Sequence, residues 1–191
     1  MEYIEGVTLD TLPESVRRTD LHKIVRIARD AAFAVEYAHS KGVIHRDLKP
    51  QNVMIDDELV PHVMDFGLAR AVAVPGLQAR VESADSRRQI TVSGTIVGTP
   101  NYVPPEQARG DVDRVDTRSD VYSLGATLYA LCTGCPPHAE ATPMDTLMAV
   151  LQAGVVAPRG LNASVSRDLE TVILKALEKE PSSRYASARE F

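Results

Sequence analysis

A chain of 191 residues, 44% hydrophobic and 25% charged, has ordinary globular composition and is long enough for one domain with its own core. A formal net charge of −5 without a basic stripe argues against a nucleic-acid binder, since such proteins cluster Lys and Arg to neutralise phosphates. Two cysteines are too few for a secreted disulfide scaffold, no apolar run reaches the ~18 residues of a membrane span, and no charged-then-apolar leader is seen; a reducing cytoplasm is expected.

In chain order, Leu21, Ile24, Val25, Ala28, Ala31, Ala32, Val35 and Ala38 recur at helical spacing between a cap at Thr19-Asp20 and Gly42, which predicts a long buried helix. Val43-Ile44, Val53-Met54-Ile55 and His62-Val63-Met64 are short β-branched or apolar runs and predict short strands. Residues 71–97 are poor in large apolar groups and rich in Ser, Thr, Arg and Gly, a composition that predicts a mobile segment. Helical patterns return at about 117–131, 143–153 and 166–178, without an internal repeat, so the chain is expected to be mainly α. Cys132 and Cys135 form a lone C-x-x-C with no second pair to complete a metal site, and read as two unpaired thiols near a helix end.

The chemistry concentrates in His45-Arg46-Asp47-Leu48-Lys49-Pro50-Gln51-Asn52, where a carboxylate is followed two residues later by a cation and five later by an amide. Asp65-Phe66-Gly67 begins thirteen residues after Asn52, and Gly98-Thr99-Pro100 leads into Pro105-Glu106. A carboxylate base, a lysine for phosphate charge and hard oxygen ligands suit Mg²⁺-assisted phosphoryl transfer.

These motifs, in this order, resemble the eukaryotic-type protein Ser/Thr kinases, and Asn101-Tyr102-Val103-Pro104-Pro105-Glu106-Gln107 resembles their bacterial branch. The resemblance runs along nearly the whole chain but covers only the larger C-terminal lobe. It implies a protein-kinase-like C-lobe: a helical bundle with a few short strands around the catalytic loop. A hinge at residues 1–6, with Met1 in the gatekeeper place, would precede a catalytic loop at 45–52, an activation segment at 65–106 and helices to 191. The small lobe's Gly-rich loop, strand lysine and helix glutamate have no counterpart here. Arg184-Tyr185 through Glu190-Phe191 resembles the start of the lobe's last helix, so both ends are expected to be truncated. An internal Met taken as initiator and a genuine remnant are alternative origins.

By the same resemblance, Asp47 is the catalytic base, Lys49 reaches the γ-phosphate, and Asn52 and Asp65 bind Mg²⁺, with Mn²⁺ as a substitute. The backbones of Glu2 and Ile4 would meet the adenine edge above Met54, whose alternative reading is a core methionine. Phe66 and Gly67 would let Asp65 switch orientation, and His45 would pack beneath the loop. Arg46 would pair with a phosphate on Thr91, Ser93 or Thr95, or else with an ordinary carboxylate. Thr99 would contact Asp47 and Lys49, Glu106 and Arg184 would form a buried ion pair, and Asp120 would accept backbone N–H bonds from the catalytic loop. Pro104 stands where the family has Ala before Pro-Glu, which implies a local backbone change.

The implied function is transfer of the ATP γ-phosphate to Ser/Thr hydroxyls of proteins, weak or absent in this lobe alone. The implied partners are ATP, protein substrates and a second copy for activation-segment autophosphorylation, with no nucleic acid, no membrane segment in this chain and a parent protein anchored beyond residue 191. Two alternatives are a non-catalytic binding module and a small-molecule phosphotransferase, which shares the Asp-to-Asn spacing but not the Gly98-to-Glu106 segment.

Overall fold

The computed structural model describes residues 4–12, 20–66 and 100–191. Helices dominate these residues, and a single small antiparallel sheet joins β1 (Val7–Thr8), β2 (Val53–Ile55) and β3 (Pro61–Val63) in that order. Val53 faces Val63 and Ile55 faces Pro61 across β2 and β3, while Thr8 of β1 faces Met54. Gly6 permits the approach to β2, because a side-chain carbon there would overlap the carbonyl oxygen of Ile55.

Helix α1 (Leu21–Ser40) starts where Asp20 accepts a hydrogen bond from the Lys23 amide at 3.1 Å. Its core face carries Ile24, Ile27, Ala28, Ala31, Ala32 and Val35. The expected long buried helix needs one correction: Val25, read as part of its apolar stripe, is exposed, as are Phe33 and Tyr37, so α1 is amphipathic. Complete burial belongs instead to α3 (Thr117–Thr133), where every residue from Ser119 to Thr133 is buried. Its residues are apolar or small all round, because α1 packs on one side and α6 on another.

The other helices are short. Pro105–Arg109 forms α2, Pro143–Gln152 α4, Pro158–Leu161 α5 and Arg167–Ala176 α6. Thr142 and Ser166 cap α4 and α6 by accepting from the Asp145 and Leu169 amides at 3.1 Å each. The predicted strand at Val43-Ile44 does not form; the Val43 amide instead closes α1 on the Ala38 carbonyl at 3.0 Å. The next amides turn to a side chain described below, so this stretch has no ladder to join. The strand expected at 62–64 lies one residue earlier, and the Met64 amide bonds the Asn52 carbonyl at 2.9 Å.

Helix α3 packs tightly against α6 at Gly125. A Cβ at Gly125 would stand 2.6 Å from the Ala176 Cβ, with no flexible side chain to give way. Gly125→Ala therefore sets a helix-propensity gain of about 1 kcal/mol against an overpacking cost of about 1–3 kcal/mol. Net destabilisation is expected, read as a lower urea midpoint at unchanged m-value; a raised midpoint would refute the tight contact.

A second measurable feature ties the loop before α4 to the segment after α6. Lys179 Nζ donates to the Val150 carbonyl at 2.5 Å and lies 3.3 Å from His138 Nε2. Burial, then the Lys179 charge, pushes the His138 imidazole from 6.5 down to about 4. Between these values the unfolded chain takes a proton that the fold refuses, so stability is lost as pH falls from 6.5 to 4. The shift corresponds to roughly 3 kcal/mol. His138→Gln should flatten this part of the stability profile in urea titrations, and an unchanged profile would reject the assignment.

Candidate active site

The loop at residues 45–52 hangs from one buried carboxylate. Asp120, in the first turn of α3 and fully buried, accepts the His45 amide on Oδ2 and the Arg46 amide on Oδ1, both at 2.8 Å. His39 Nε2, from the end of α1, donates to Asp120 Oδ2 at 2.7 Å. These charge-assisted bonds hold Arg46 in the left-handed region at φ 67, a strained conformation for a residue with a side chain. Asp65 shows the same feature at φ 60. Strain of this kind persists only where the surroundings over-determine it.

His45 lies beneath the loop, fully buried. Its Nε2 donates to the Met64 carbonyl at 2.7 Å, while Nδ1 accepts the Asp47 amide at 3.3 Å; a single neutral tautomer satisfies both. Its ring centroid is 4.8 Å from that of Phe66. One imidazole thus couples the backbone of Asp47 to the residue before Asp65.

Asp47, Lys49 and Asn52 converge. Lys49 Nζ reaches Asp47 Oδ2 at 2.7 Å, and Asn52 Nδ2 donates to the Asp47 carbonyl at 2.8 Å and to Oδ2 at 3.1 Å. Both atoms facing Asn52 are acceptors, so its amino group points to Asp47 and its amide oxygen is left for another donor or a cation. The Asp47 side chain remains 41% exposed, open to a hydroxyl from outside. Asp65 is exposed, one residue beyond the Met64 amide that bonds Asn52. Among the described residues no three His, Cys, Asp or Glu side chains form a cation cage. Two oxygen ligands beside phosphate oxygens are nevertheless the usual Mg²⁺ pattern, and Asn52 and Asp65 fit it in chemistry.

Behind the loop, Glu106 of α2 meets Arg184 in a bidentate pair: Oε1 to Nη1 and Oε2 to Nη2, each 2.8 Å, with both side chains fully buried. Ser119 Oγ donates to Glu106 Oε1 at 2.6 Å, and Arg184 also donates to the carbonyls of Glu178, Arg118 and Lys179. Burial alone would raise the Glu106 carboxyl, but the Arg184 hydrogen bonds and charge hold it below its ordinary value. Arg46 has an exposed side chain, and its carbonyl accepts Gln107 Nε2 at 3.0 Å. Ile4 and Met54, assigned to the nucleotide, are half-buried at the sheet end of the molecule. Glu2, Gly67, Thr91, Ser93, Thr95 and Thr99 lie outside the described residues.

His39, Ser119 and Gln107 escaped sequence reasoning. Each acts on a partner far away in the chain, and no local pattern marks a histidine near a helix end as the donor to a carboxylate 81 residues on.

A family model for the protein kinase domain matches residues 1–191. The chain belongs to the protein kinase family. It is 40% identical over 190 residues to the serine/threonine-protein kinase PknB of Mycobacterium tuberculosis, covering 100% of this chain and 28% of PknB. It is 36% identical to a probable serine/threonine-protein kinase of Clostridium acetobutylicum, covering 100% of this chain and 27% of that protein. The chain therefore spans a little over a quarter of the length of these relatives. The crystal structure of Rad53 1-466 in complex with AMP-PNP superposes with a TM-score of 0.74 at 24% identity, covering 100% of this chain and 44% of that one, which shows the kinase fold. Kinases of this family use ATP and Mg²⁺. No helix among the described residues of this chain is long and apolar enough to cross a membrane.

Proposed function

We propose that this chain is the C-terminal lobe of a protein serine/threonine kinase that transfers the ATP γ-phosphate to Ser and Thr hydroxyls of proteins in a reducing cytoplasm. The observation that carries this reading is the Asp47–Lys49–Asn52 constellation on a loop suspended from Asp120. Asp47 accepts the hydrogen bond of the incoming hydroxyl, orients it and takes its proton late. Lys49, now paired with Asp47, moves to the phosphate and offsets its charge. Asn52 keeps Asp47 from rotating, and its amide oxygen would hold Mg²⁺ together with the Asp65 carboxylate. When bound, the ion supplies charge neutralisation at the phosphate oxygens. The adenine would lie near Ile4 and Met54, with the Glu2 backbone beside it.

Regulation follows from Arg46, whose exposed side chain can pair with a phosphate on Thr91, Ser93 or Thr95, added by a second copy of the chain. Thr99 would contact Asp47 and Lys49 and select hydroxyl substrates. The 191 residues contain no G-x-G-x-x-G phosphate loop. Transfer by this chain alone is therefore expected to be weak, because part of the phosphate clamp is wanting.

The test is phosphorylation of a general protein substrate by the chain alone and by the chain joined to the small lobe of a relative. Phosphoserine or phosphothreonine formed by the joined protein, with ATP and Mg²⁺, supports the reading. A joined protein that binds ATP without transferring phosphate would make this lobe a binding module, and phosphorylation of sugars rather than peptides would make it a small-molecule enzyme.

A further inference from the structure

The Asp47 side chain hangs between two peptide groups, one joining Arg46 to Asp47 and one joining Asp47 to Leu48. The second is held at its carbonyl, where Asn52 Nδ2 donates to the Asp47 oxygen at 2.8 Å. The first is held at both ends: its N–H, on Asp47, donates to His45 Nδ1 at 3.3 Å, and its carbonyl, on Arg46, accepts Gln107 Nε2 at 3.0 Å. The His45 contact is long for an N–H donor, so the carbonyl end carries much of the hold. Arg46 stands at φ 67, a conformation that persists only where its surroundings enforce it.

Gln107 projects from a fixed mount. It follows Glu106 in α2, and Glu106 is locked to Arg184 in the fully buried pair. A carbonyl needs a donor, so the amino group of Gln107 must face Arg46. Gln107 Oε1 is then left buried, with no hydrogen-bond partner among the described residues. An unmet buried acceptor is costly, so this side chain is not placed for its own polar satisfaction; what it gains there is the bond to Arg46.

We infer that Gln107 is a positioning residue for phosphoryl transfer: its side-chain N–H fixes the Arg46–Asp47 peptide and thereby the direction in which Asp47 meets the acceptor hydroxyl. The inference rests on the reading of the chain as a protein kinase. Gln107 touches no reacting atom and acts through Arg46.

Three variants separate a hydrogen-bond donor from a filler of space. Gln107→Met keeps the length without the donor, Gln107→Glu sets an acceptor against an acceptor, and Gln107→Lys restores a donor of similar reach. In the chain joined to a small lobe, kcat for peptide phosphorylation should fall about tenfold in Gln107→Met, as the loss of one hydrogen bond implies, and further in Gln107→Glu. Gln107→Lys should return it to within about threefold of the parent, with KM for ATP and peptide little changed throughout. A side chain that merely filled space would leave Gln107→Met nearest the parent. Unchanged kcat in Gln107→Met and Gln107→Glu, or a Gln107→Lys variant no better than Gln107→Met, would overturn the inference.

A second readout needs no transfer. In the 191-residue chain, hydrogen exchange at the Asp47 amide, followed by NMR, should quicken about tenfold in Gln107→Met and Gln107→Glu but not in Gln107→Lys, because a peptide freed at its carbonyl also swings its N–H off His45. Unchanged exchange in Gln107→Met and Gln107→Glu would count against the inference. Quickened exchange without transfer in the joined parent refutes the proposed function alone, and transfer that Gln107→Met and Gln107→Glu leave intact refutes this inference alone.

Discussion

Asp47→Asn, made in the chain joined to a small lobe, is expected to lower peptide phosphorylation by about 10²- to 10⁴-fold, the range that a positioned proton acceptor contributes. The substitution keeps the shape of the side chain. Its oxygen can still accept from Lys49 or Asn52, but the charge that holds Lys49 at 2.7 Å and takes the hydroxyl proton is gone. The fold should persist, because Asp47 is half-exposed and the loop is held by its backbone amides on Asp120 and by His45. Steady-state kinetics should show the loss mostly in kcat, with ATP affinity little changed. Full activity in Asp47→Asn would sink the assignment of the base, and with it the reading of the loop as catalytic.

Arg184→Met should be the most destabilising single change at the site's support. It strands the Glu106 carboxylate in a fully buried position with Ser119 as its remaining side-chain donor and removes three bonds to the carbonyls of Glu178, Arg118 and Lys179. Breaking a buried pair from one side costs roughly 3–5 kcal/mol. For a domain of this size each kcal/mol moves the melting temperature by roughly 2–4 °C, so a fall on the order of 10 °C is expected in calorimetry. Glu106 should then protonate, which makes the variant relatively less unstable in acid than at neutral pH. Pairing Arg184→Met with Glu106→Leu should recover part of the loss, since the uncompensated charge is removed. A melting temperature within a degree of the parent would show that the pair carries no stability.

The two experiments address different layers of the molecule. Asp47 stands at the end of a short local pattern, and its neighbours Lys49 and Asn52 reach it because offsets of two and five residues in a tight loop bring their side chains to one point. Their closeness in the chain was legible in the residues, whereas the meeting of their side chains at Asp47 is set by the backbone conformation of the loop. Glu106 and Arg184 lie 78 residues apart; without the resemblance to kinases nothing local would have paired them. His39, 81 residues from Asp120, carried no such signal and was missed.

The helices followed the same division. Capping residues and apolar spacing placed α1, α3, α4 and α6 within a residue or two, because those signals are local. They did not say which helix would be central. Val25 fits the periodic stripe of α1 yet faces solvent, whereas α3, with two serines, a glycine and an aspartate among its first nine residues, is buried from Ser119 onward. Neighbours on several sides enclose α3, and its buried polar groups find partners there: Asp120 in the loop amides, Ser119 in Glu106, Ser123 in the Tyr102 carbonyl.

By itself the order of residues determined which groups stand close together in residues 45–52 and, through helical periodicity and caps, the mainly helical class of fold. The tertiary structure alone decided how the loop at those residues is held: strands were denied to Val43-Ile44 because the amides of His45 and Arg46 bind Asp120 instead, and Gln107 was brought to the Arg46 carbonyl from 61 residues away. Hydrogen bonds between distant residues are chosen by packing, and packing depends on every element at once.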